Sequence, residues 1–360
     1  MKKKLRYGVL ISVILLCVLW VGWGYAQEKG RYIHVEIAPV MMDREGIITI
    51  VSDDGFYDTG VNLNELAGKH GLKLTIAGVV DIINPYLDEW LAIEKEGNLE
   101  LISHSWSHLK MSEESNYSDE ELKHQITDSI NYYKDKFSTD QIAFIAPENT
   151  LCEKGYDFLK ENGIYSVRQG VRGNNSFSPL EGHYPAQWYR LLTYGIGDND
   201  TTEWRNSLID SAINDKCWLI EMWYNVYKEG QDIGYQGISY EMADEHMAYL
   251  SEKVEVGEVW NASLVDATKY LYEKEYASVE AVQKGNIITI KLKTDTTKLP
   301  EDIFDYPLTV KIPLPETWDE NKVTSKEKGI EVVIKEKNKV KYILFEMIPN
   351  SKEIIIENVQ

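Results

Sequence analysis

The sequence predicts two domains, an α/β barrel-like domain over residues 46–276 and a small antiparallel β-sandwich over residues 277–360. The first rests on seven or eight short apolar runs that alternate with helical patterns between residues 46 and 275. The second rests on a change to period-two alternation after residue 278. A chain of 360 residues that is 43% hydrophobic can bury cores of this size.

The N-terminal segment comes first and differs from both domains. It opens with a basic head of Lys2, Lys3, Lys4 and Arg6. An apolar run from Tyr7 to about Trp23 follows, and then small and polar residues. This order is typical of a secretory signal peptide or an uncleaved membrane anchor. We therefore expect residues 1–26 to be one of these and residues 27–45 to be a stalk. The remainder should be exported, either extracellular or anchored to the outer face of the cell membrane.

The α/β domain is predicted from the order of its elements. Its apolar runs read GIITIVS, LKLTIAGVV, LELISHS, QIAFIAP, IYSVRQ, YRLLTYGI, CWLIEMWYNV and VWNASL. Between them, Ser118 and Glu121 have the spacing of a helix-starting capping box, and another helix over 154–162 should stop at Gly163. Strands joined by helical crossovers favour a parallel sheet, in which catalytic groups collect at the carboxyl ends of the strands.

The C-terminal segments alternate between two faces. In NIITIKLK, Ile288, Ile290 and Leu292 share one face, and IEVVIKEKNKVKYILFEM predicts two strands around a turn near Lys337 and Asn338. With PLTVKIPL and KEIIIENV they make a sandwich without a cluster of titratable groups, so we expect an accessory domain. No low-complexity linker separates the two domains, which should pack directly.

Composition limits the partners. The formal charge is −20, and loss of the four basic residues of the leader makes it −24. Such an acidic body argues against nucleic acid and against membrane contact other than through the N-terminal segment. Outside the leader only Cys152 and Cys217 remain, too few for a disulfide framework, although one bridge between them stays open.

Two motifs at predicted strand ends point to a metal site. His104 and His108 follow a strand and would share one face if the chain turns helically, so both imidazoles could reach one ion. Asp54, at another strand end, can supply a carboxylate, and this ligand set leaves open positions on a divalent ion such as zinc. Asp53 is then free to act as a general base, its charge tolerated beside the cation.

The same motifs resemble those of the polysaccharide deacetylase family, the NodB-like enzymes of carbohydrate esterase family 4, over residues 46 to 275. VSDDG matches the first family motif with Ser52 in place of an aromatic residue, and HSWSH matches the second in full. The resemblance implies a distorted (β/α) barrel with fewer than eight repeats and a divalent metal, most plausibly zinc, on Asp54, His104 and His108. It also implies Asp53 as the base and removal of acetyl groups from an acetylated polysaccharide.

The third family motif is altered. In IAPENT, Glu148 and Asn149 follow Pro147, where the family has an aromatic residue and a glycine. The resemblance implies that the backbone N–H of Glu148 still faces the oxyanion and that Pro147 lies at the substrate. The base-orienting arginine of this motif is missing, and Arg168 is the nearest substitute.

The fifth motif is altered as well. Tyr224 stands where the family has a histidine that protonates the leaving group, and an unperturbed tyrosine is a poor acid at neutral pH. Glu148 or His183 could be a relocated acid. Trp106 and Trp223 lie within motifs that should face the cleft, so we expect both to contact sugar.

Two functions therefore stay open. The first is a hydrolase that removes acetyl groups, from nitrogen or oxygen, on an extracellular or cell-wall polysaccharide, with activity that is reduced by the altered motifs. The alternative is a weak or inactive relative that binds or helps assemble a polysaccharide. The remaining histidines of the barrel, His70, His124 and His246, are expected to be surface or packing residues, and His34 to lie in the stalk.

Overall fold

The computed structural model describes residues 30–176, 188–300 and 303–359. The predicted leader and His183 lie outside these ranges. Within them, none of the helices combines the length and the apolar character needed to cross a membrane.

Each of the apolar runs overlaps a strand of the first domain, although the bounds differ by a few residues and short strands that were not predicted occur as well. Two short strands precede them, β1 (Arg31–Tyr32) and β2 (Glu36–Ile37). The domain itself contains β3 (Gly46–Ser52), β4 (Leu74–Gly78), β5 (Leu99–Ser103), β6 (Ala143–Ile145), β7 (Ser166–Arg172), β8 (Asn175–Ser176), β9 (Leu191–Gly195), β10 (Cys217–Trp223), β11 (Val226–Tyr227), β12 (Ile238–Ser239) and β13 (Val259–Asn261).

Helices connect these strands. They are α1 (Tyr57–His70), α2 (Val80–Ile83), α3 (Leu87–Glu94), α4 (Asp119–Lys123), α5 (Ser129–Lys136), α6 (Glu153–Glu161), α7 (Thr202–Asp215), α8 (Tyr240–Glu255) and α9 (Leu264–Tyr276). A π-helical turn, His124–Asp128, joins α4 to α5. The predicted capping box at Ser118 and Glu121 is present, and α6 ends just before Gly163, whose φ of 77° is left-handed.

The main sheet is a nearly closed parallel barrel. Its strands follow the order β5-β4-β3-β10-β9-β7-β6, with β13 parallel to β3 and β8 antiparallel to β10 beside this path. Every residue of β3 is buried, as expected for a strand covered on both faces. The (β/α) barrel predicted from the sequence is confirmed.

Side chains, rather than a strand ladder, bridge the barrel between β5 and β6. The Gln141 amide donates to the carbonyl oxygen of Leu101 at 3.0 Å and accepts from the Ser103 N–H at 3.2 Å. Gln141 is buried, so both of these backbone groups are satisfied at the seam. The seam lies next to the strand ends that carry the functional residues.

The C-terminal strands form two antiparallel sheets, as predicted. The strands are β14 (Ala277–Lys284), β15 (Ile287–Thr294), β16 (Leu308–Pro313), β17 (Val323–Ser325), β18 (Val333–Lys337), β19 (Val340–Met347) and β20 (Ile354–Asn358). One sheet has the order β1-β14-β15-β20-β17 and the other the order β18-β19-β16-β2.

The segment predicted to be a stalk is part of these sheets. Arg31 pairs with Gln283 through β1 and β14, and Ile37 pairs with Val310 through β2 and β16. His34 lies between these two strands. Two-residue strands carry too little alternation to be read from sequence, which explains why this pairing was missed.

The two domains share one apolar core. Tyr270 of α9 and Trp260 of β13 belong to the same cluster of buried residues as Ile290 and Phe345 of the sandwich. The Tyr270 hydroxyl donates to the carbonyl oxygen of Ala38 at 2.9 Å. The packing is therefore direct, as the absence of a linker predicted. Cys152 and Cys217 are separate, buried free thiols.

Candidate metal centre and active site

Strand ends on one edge of the sheet place the predicted site residues together. Asp53 and Asp54 follow β3, and His104 follows β5. Asp54 and Gly55 both have left-handed backbone, with φ of 70° and 80°. A Cβ on Gly55 would lie 2.7 Å from Cδ1 of Ile83 and 3.0 Å from Cα of Gly78, so only glycine fits this turn. The turn aims both carboxylates beyond the carboxyl end of the sheet.

The three predicted metal ligands converge. The Oδ1 atom of Asp54 lies 3.8 Å from Nε2 of His104 and 3.4 Å from Nε2 of His108. One ligand atom from each residue lies within 4.8 Å of the others. Bonds of about 2.0–2.1 Å around a tetrahedral ion would put ligand atoms about 3.3 Å apart, so this donor set fits one divalent cation after small movements.

A loop, not a helix, brings the two histidines together. Ser105 and His108 have φ of 73° and 59°, so the helical turn assumed from their spacing is not present. The His108 N–H donates to Oγ of Ser105 at 3.0 Å. Gln125 of the π-helical turn accepts from the Ser107 N–H at 3.0 Å and donates to Oγ of Ser107 at 2.9 Å. The loop is thus fixed in place by an irregular helical turn, a feature often found at functional sites.

His104 is prepared for ligation. Its Nδ1 donates to the carbonyl oxygen of Ile145 at 2.9 Å, which leaves the Nε2 lone pair free. Burial lowers the pKa of His104 to about 4, so the imidazole is neutral at physiological pH. Burial, followed by repulsion from Asp53, raises the pKa of Asp54. A cation beside Asp54 would stabilise the charged carboxylate and so oppose the effects of burial and of Asp53 on its pKa.

Arg168 holds the predicted base. Its Nη2 donates to Oδ1 and Oδ2 of Asp53, each at 2.6 Å, and both side chains are buried. Arg168, the substitute suggested from sequence, therefore contacts Asp53 directly, although it comes from β7 and not from the altered third motif. Its Nε and Nη1 have no hydrogen-bond partner among the described residues.

A cavity of about 440 Å³ lies over these groups. It is lined by Asp53, Asp54, His104, His108, Ala146, Glu148, Asn149, Tyr224 and Tyr235. Glu148, a predicted catalytic residue, is exposed at the rim with a φ of 51°, and its charge contributes to the raised pKa of Asp54. Pro147, predicted to bind substrate, is buried behind it.

Tyr224, the third predicted catalytic residue, reaches the cavity in a neutral form. Burial, followed by the nearby Asp53 carboxylate, raises the pKa of Tyr224 to about 12. Its hydroxyl contacts the sulfur of Met222 at 3.8 Å, a weak interaction. The phenol can donate a hydrogen bond, but it releases a proton even less readily than an unperturbed tyrosine.

The two predicted sugar-binding tryptophans do not line the cavity. Trp223 is 1% exposed, and its indole N–H donates to Oε2 of Glu221 at 2.9 Å within the core. Because successive side chains of a strand end point to opposite sides, Tyr224 in the cavity places Trp223 away from it. Trp106 is half-buried and packs on His124, with ring centroids 4.5 Å apart.

Two other histidines, His246 and His70, have structural partners. His246 is fully buried, with Nε2 at 3.1 Å from the Glu221 carboxylate. His70 lies 2.6 Å from Oδ1 of Asp244. Neither residue lines the cavity, in agreement with the packing role expected for them.

Asn149 and Tyr235 were missed as cavity residues. Asn149 directly follows Glu148, and its side chain packs on Gly170. Tyr235 comes from the loop between β11 and β12, after the end of the run CWLIEMWYNV, and its sequence signal is its place between Gly234 and Gly237.

Comparisons with known proteins give similarity of structure only. Protein-family models and curated proteins yield no match to the chain. One similar solved structure is the Xyl-CE4 domain of a multidomain xylanase from the hindgut metagenome of Trinervitermes trinervoides, with 17% identity over 64% of this chain and 92% of that chain and a TM-score of 0.43. Another is a putative polysaccharide deacetylase from Mycobacterium smegmatis, with 11% identity over 67% of this chain and 95% of that chain and a TM-score of 0.48.

A third similar structure is a CE4 family pseudoenzyme from Bacillus anthracis, with 10% identity over 62% of this chain and 65% of that chain and a TM-score of 0.41. These names agree with the family that the two sequence motifs resemble. The function proposed below rests on the residues of the cavity.

Proposed function

We propose that this protein is an exported, metal-dependent hydrolase that removes acetyl groups from a polysaccharide outside the cell. The observation that carries the proposal is the convergence of Asp54, His104 and His108 beside a buried Asp53–Arg168 pair. Two imidazoles and one carboxylate suit zinc and leave coordination positions open for catalysis. The protein would be extracellular or held at the outer face of the membrane by residues 1–26.

The residues divide the chemistry as follows. A divalent ion, when bound, supplies Lewis acidity toward the acetyl carbonyl and lowers the pKa of water. Asp53, oriented by Arg168, accepts the proton of the attacking water. The backbone N–H of Glu148 is the expected donor to the oxyanion. Tyr224 can stabilise the leaving oxygen or nitrogen by a hydrogen bond.

The missing proton donor sets the substrate preference. An amine must be protonated to leave, whereas an alkoxide departs with less help. Loss of a general acid costs on the order of 100-fold to 10,000-fold in rate. We therefore expect acetyl esters to be hydrolysed faster than N-acetyl sugars.

A glycan-binding or glycan-assembly protein without activity is the second candidate. It is favoured by the neutral Tyr224, whose pKa of about 12 makes it a poor acid, and by the exposed carboxylate of Glu148 near Asp54. Such a protein would keep the cavity and the metal ligands while releasing no acetate.

Acetate release distinguishes the two candidates. Protein lacking residues 1–26 would be loaded with zinc and assayed on acetylated xylan and on N-acetylglucosamine oligomers. We expect slow release, faster from xylan and abolished by Asp53→Asn. Tyr224→His should raise the rate on the N-acetyl oligomers. The absence of release from either substrate, with zinc bound and with no gain from Tyr224→His, would favour the binding protein.

A further inference from the structure

An exposed aromatic ring in the metal cavity has no part in the chemistry described so far. Tyr235 is 66% exposed and lines the same cavity as the metal ligands. Its ring meets that of Tyr224 edge to face, with centroids 5.0 Å apart and planes at 84°. This contact supports the Tyr235 ring along one side and leaves most of its surface open to a ligand.

The turn that carries Tyr235 is closely fitted to the barrel. Gly234 has a φ of 63°, and a Cβ there would lie 2.1 Å from Nδ2 of Asn225. A Cβ on Gly237 would lie 1.9 Å from the carbonyl oxygen of Ile233. The Ile238 N–H donates to the carbonyl oxygen of Asn225 at 2.9 Å. Because both glycines are sterically required, the turn presents Tyr235 at a defined place beside the metal ligands.

The charges of the cavity restrict what can lie against this ring. Asp53, Asp54 and Glu148 bring three carboxylates to the cavity. The Arg168 guanidinium and a bound divalent ion would balance them, leaving little net charge to attract an anion. An uncharged ligand with apolar C–H faces and many hydroxyl groups suits such a surface.

We propose that Tyr235 stacks on the pyranose ring that carries the acetyl group and selects uncharged sugar chains over small acetyl esters. The proposal deepens the function given above and rests on it for the position of the acetyl group. Tyr235 is a specificity residue, since no proton passes through it.

The first test measures binding without metal or turnover. Metal-free protein lacking residues 1–26 would be titrated calorimetrically with the tetramer of N-acetylglucosamine and with acetylated xylotetraose. Tyr235→Ala should weaken the binding of at least one of them by roughly 3- to 10-fold, as expected for one aromatic contact. Tyr235→Phe should keep the affinity because the ring remains. Tyr32→Ala, which removes a 75% exposed tyrosine from β1, is the matched control and should change nothing.

The second test uses the zinc-loaded protein. In Tyr235→Ala, kcat/KM should fall further on the oligosaccharide than on 4-nitrophenyl acetate, mainly through KM, so that the ratio of the two values drops about 3- to 10-fold. Equal losses on both substrates, or unchanged oligosaccharide binding, would overturn the stacking role. Failure of the proposed function looks different, because acetate release would then be absent in the wild type while the effect of Tyr235→Ala on binding persists.

Discussion

The Asp53–Arg168 pair leads to a quantitative prediction about stability. Both side chains are buried, and one guanidinium nitrogen lies 2.6 Å from each carboxylate oxygen. Arg168→Met would leave a buried carboxylate without its partner, which typically costs about 3–5 kcal/mol in the free energy of unfolding. With an unfolding entropy of about 2.1 cal/mol/K per residue, a chain of 360 residues shifts by about 1.3 °C per kcal/mol, so the melting temperature of the metal-free protein should fall by roughly 4–7 °C.

An exposed ion pair with the same distance between nitrogen and oxygen supplies the control. Nζ of Lys228 lies 2.6 Å from Oε2 of Glu65, but these side chains are 40% and 54% exposed. Lys228→Met should cost less than about 1 kcal/mol because solvent screens the pair. The two variants therefore separate the effect of burial from the effect of distance.

Urea unfolding followed by circular dichroism in the presence of a chelator measures both costs. The double variant Arg168→Met, Asp53→Asn should recover at least half of the loss, since no unpaired charge remains in the core. The reasoning would be refuted if Arg168→Met were no more destabilising than Lys228→Met, or if Asp53→Asn gave no recovery.

Three further predictions follow from other parts of the chain. His104→Ala should abolish stoichiometric zinc binding measured by elemental analysis, and zinc should raise the melting temperature of the wild type but not of this variant. Burial raises the pKa of Glu273 from 4.5 to about 7, so the folded state binds this proton more tightly than the unfolded state does. The contribution of Glu273 to the free energy of unfolding should therefore be fully present below pH 4.5 and be lost as the pH rises through about 7. Glu273→Gln should flatten that part of a plot of melting temperature against pH, and an unchanged slope would contradict the assignment. Removal of residues 277–360 should give an insoluble or strongly destabilised barrel, because the two domains share a core; a soluble fragment of unchanged melting temperature would show that the barrel is independent.

The strands of the barrel and the convergence of the candidate metal ligands could be predicted because their signals are local. Apolar runs mark buried strands, and the residues that follow those runs must meet at one edge of a parallel sheet. Asp54 and His104 are such residues, and the structure places them 3.8 Å apart. Arg168 was suggested differently, as the nearest substitute for the base-orienting arginine that the family resemblance implies, and it lies in β7.

The features that were missed from the sequence depend on the direction in which side chains point and on strand pairing between distant parts of the chain. Trp223 and Tyr224 are neighbours in one motif, yet strand alternation sends only Tyr224 to the cavity; this signal was available in the sequence. The position of Tyr235 depends on glycine contacts with Asn225, which no local pattern records. The pairing of residues 31–37 with the last domain required contacts across more than two hundred residues.

The strands β1 and β2 also determine how the N-terminal segment connects to the folded domains. Both strands pair with strands of the sandwich. Further along the chain, Oδ2 of Asp43 lies 3.1 Å from Nζ of Lys311 in that sandwich. From there β3 runs for seven residues, about 20 Å, before it reaches the metal ligands. If the first residues anchor the protein, the chain passes through the sandwich at β1 and β2 before it enters the barrel. From Arg31 onward, the candidate site would then be joined to the anchor through folded structure and not through the stalk that the sequence predicted.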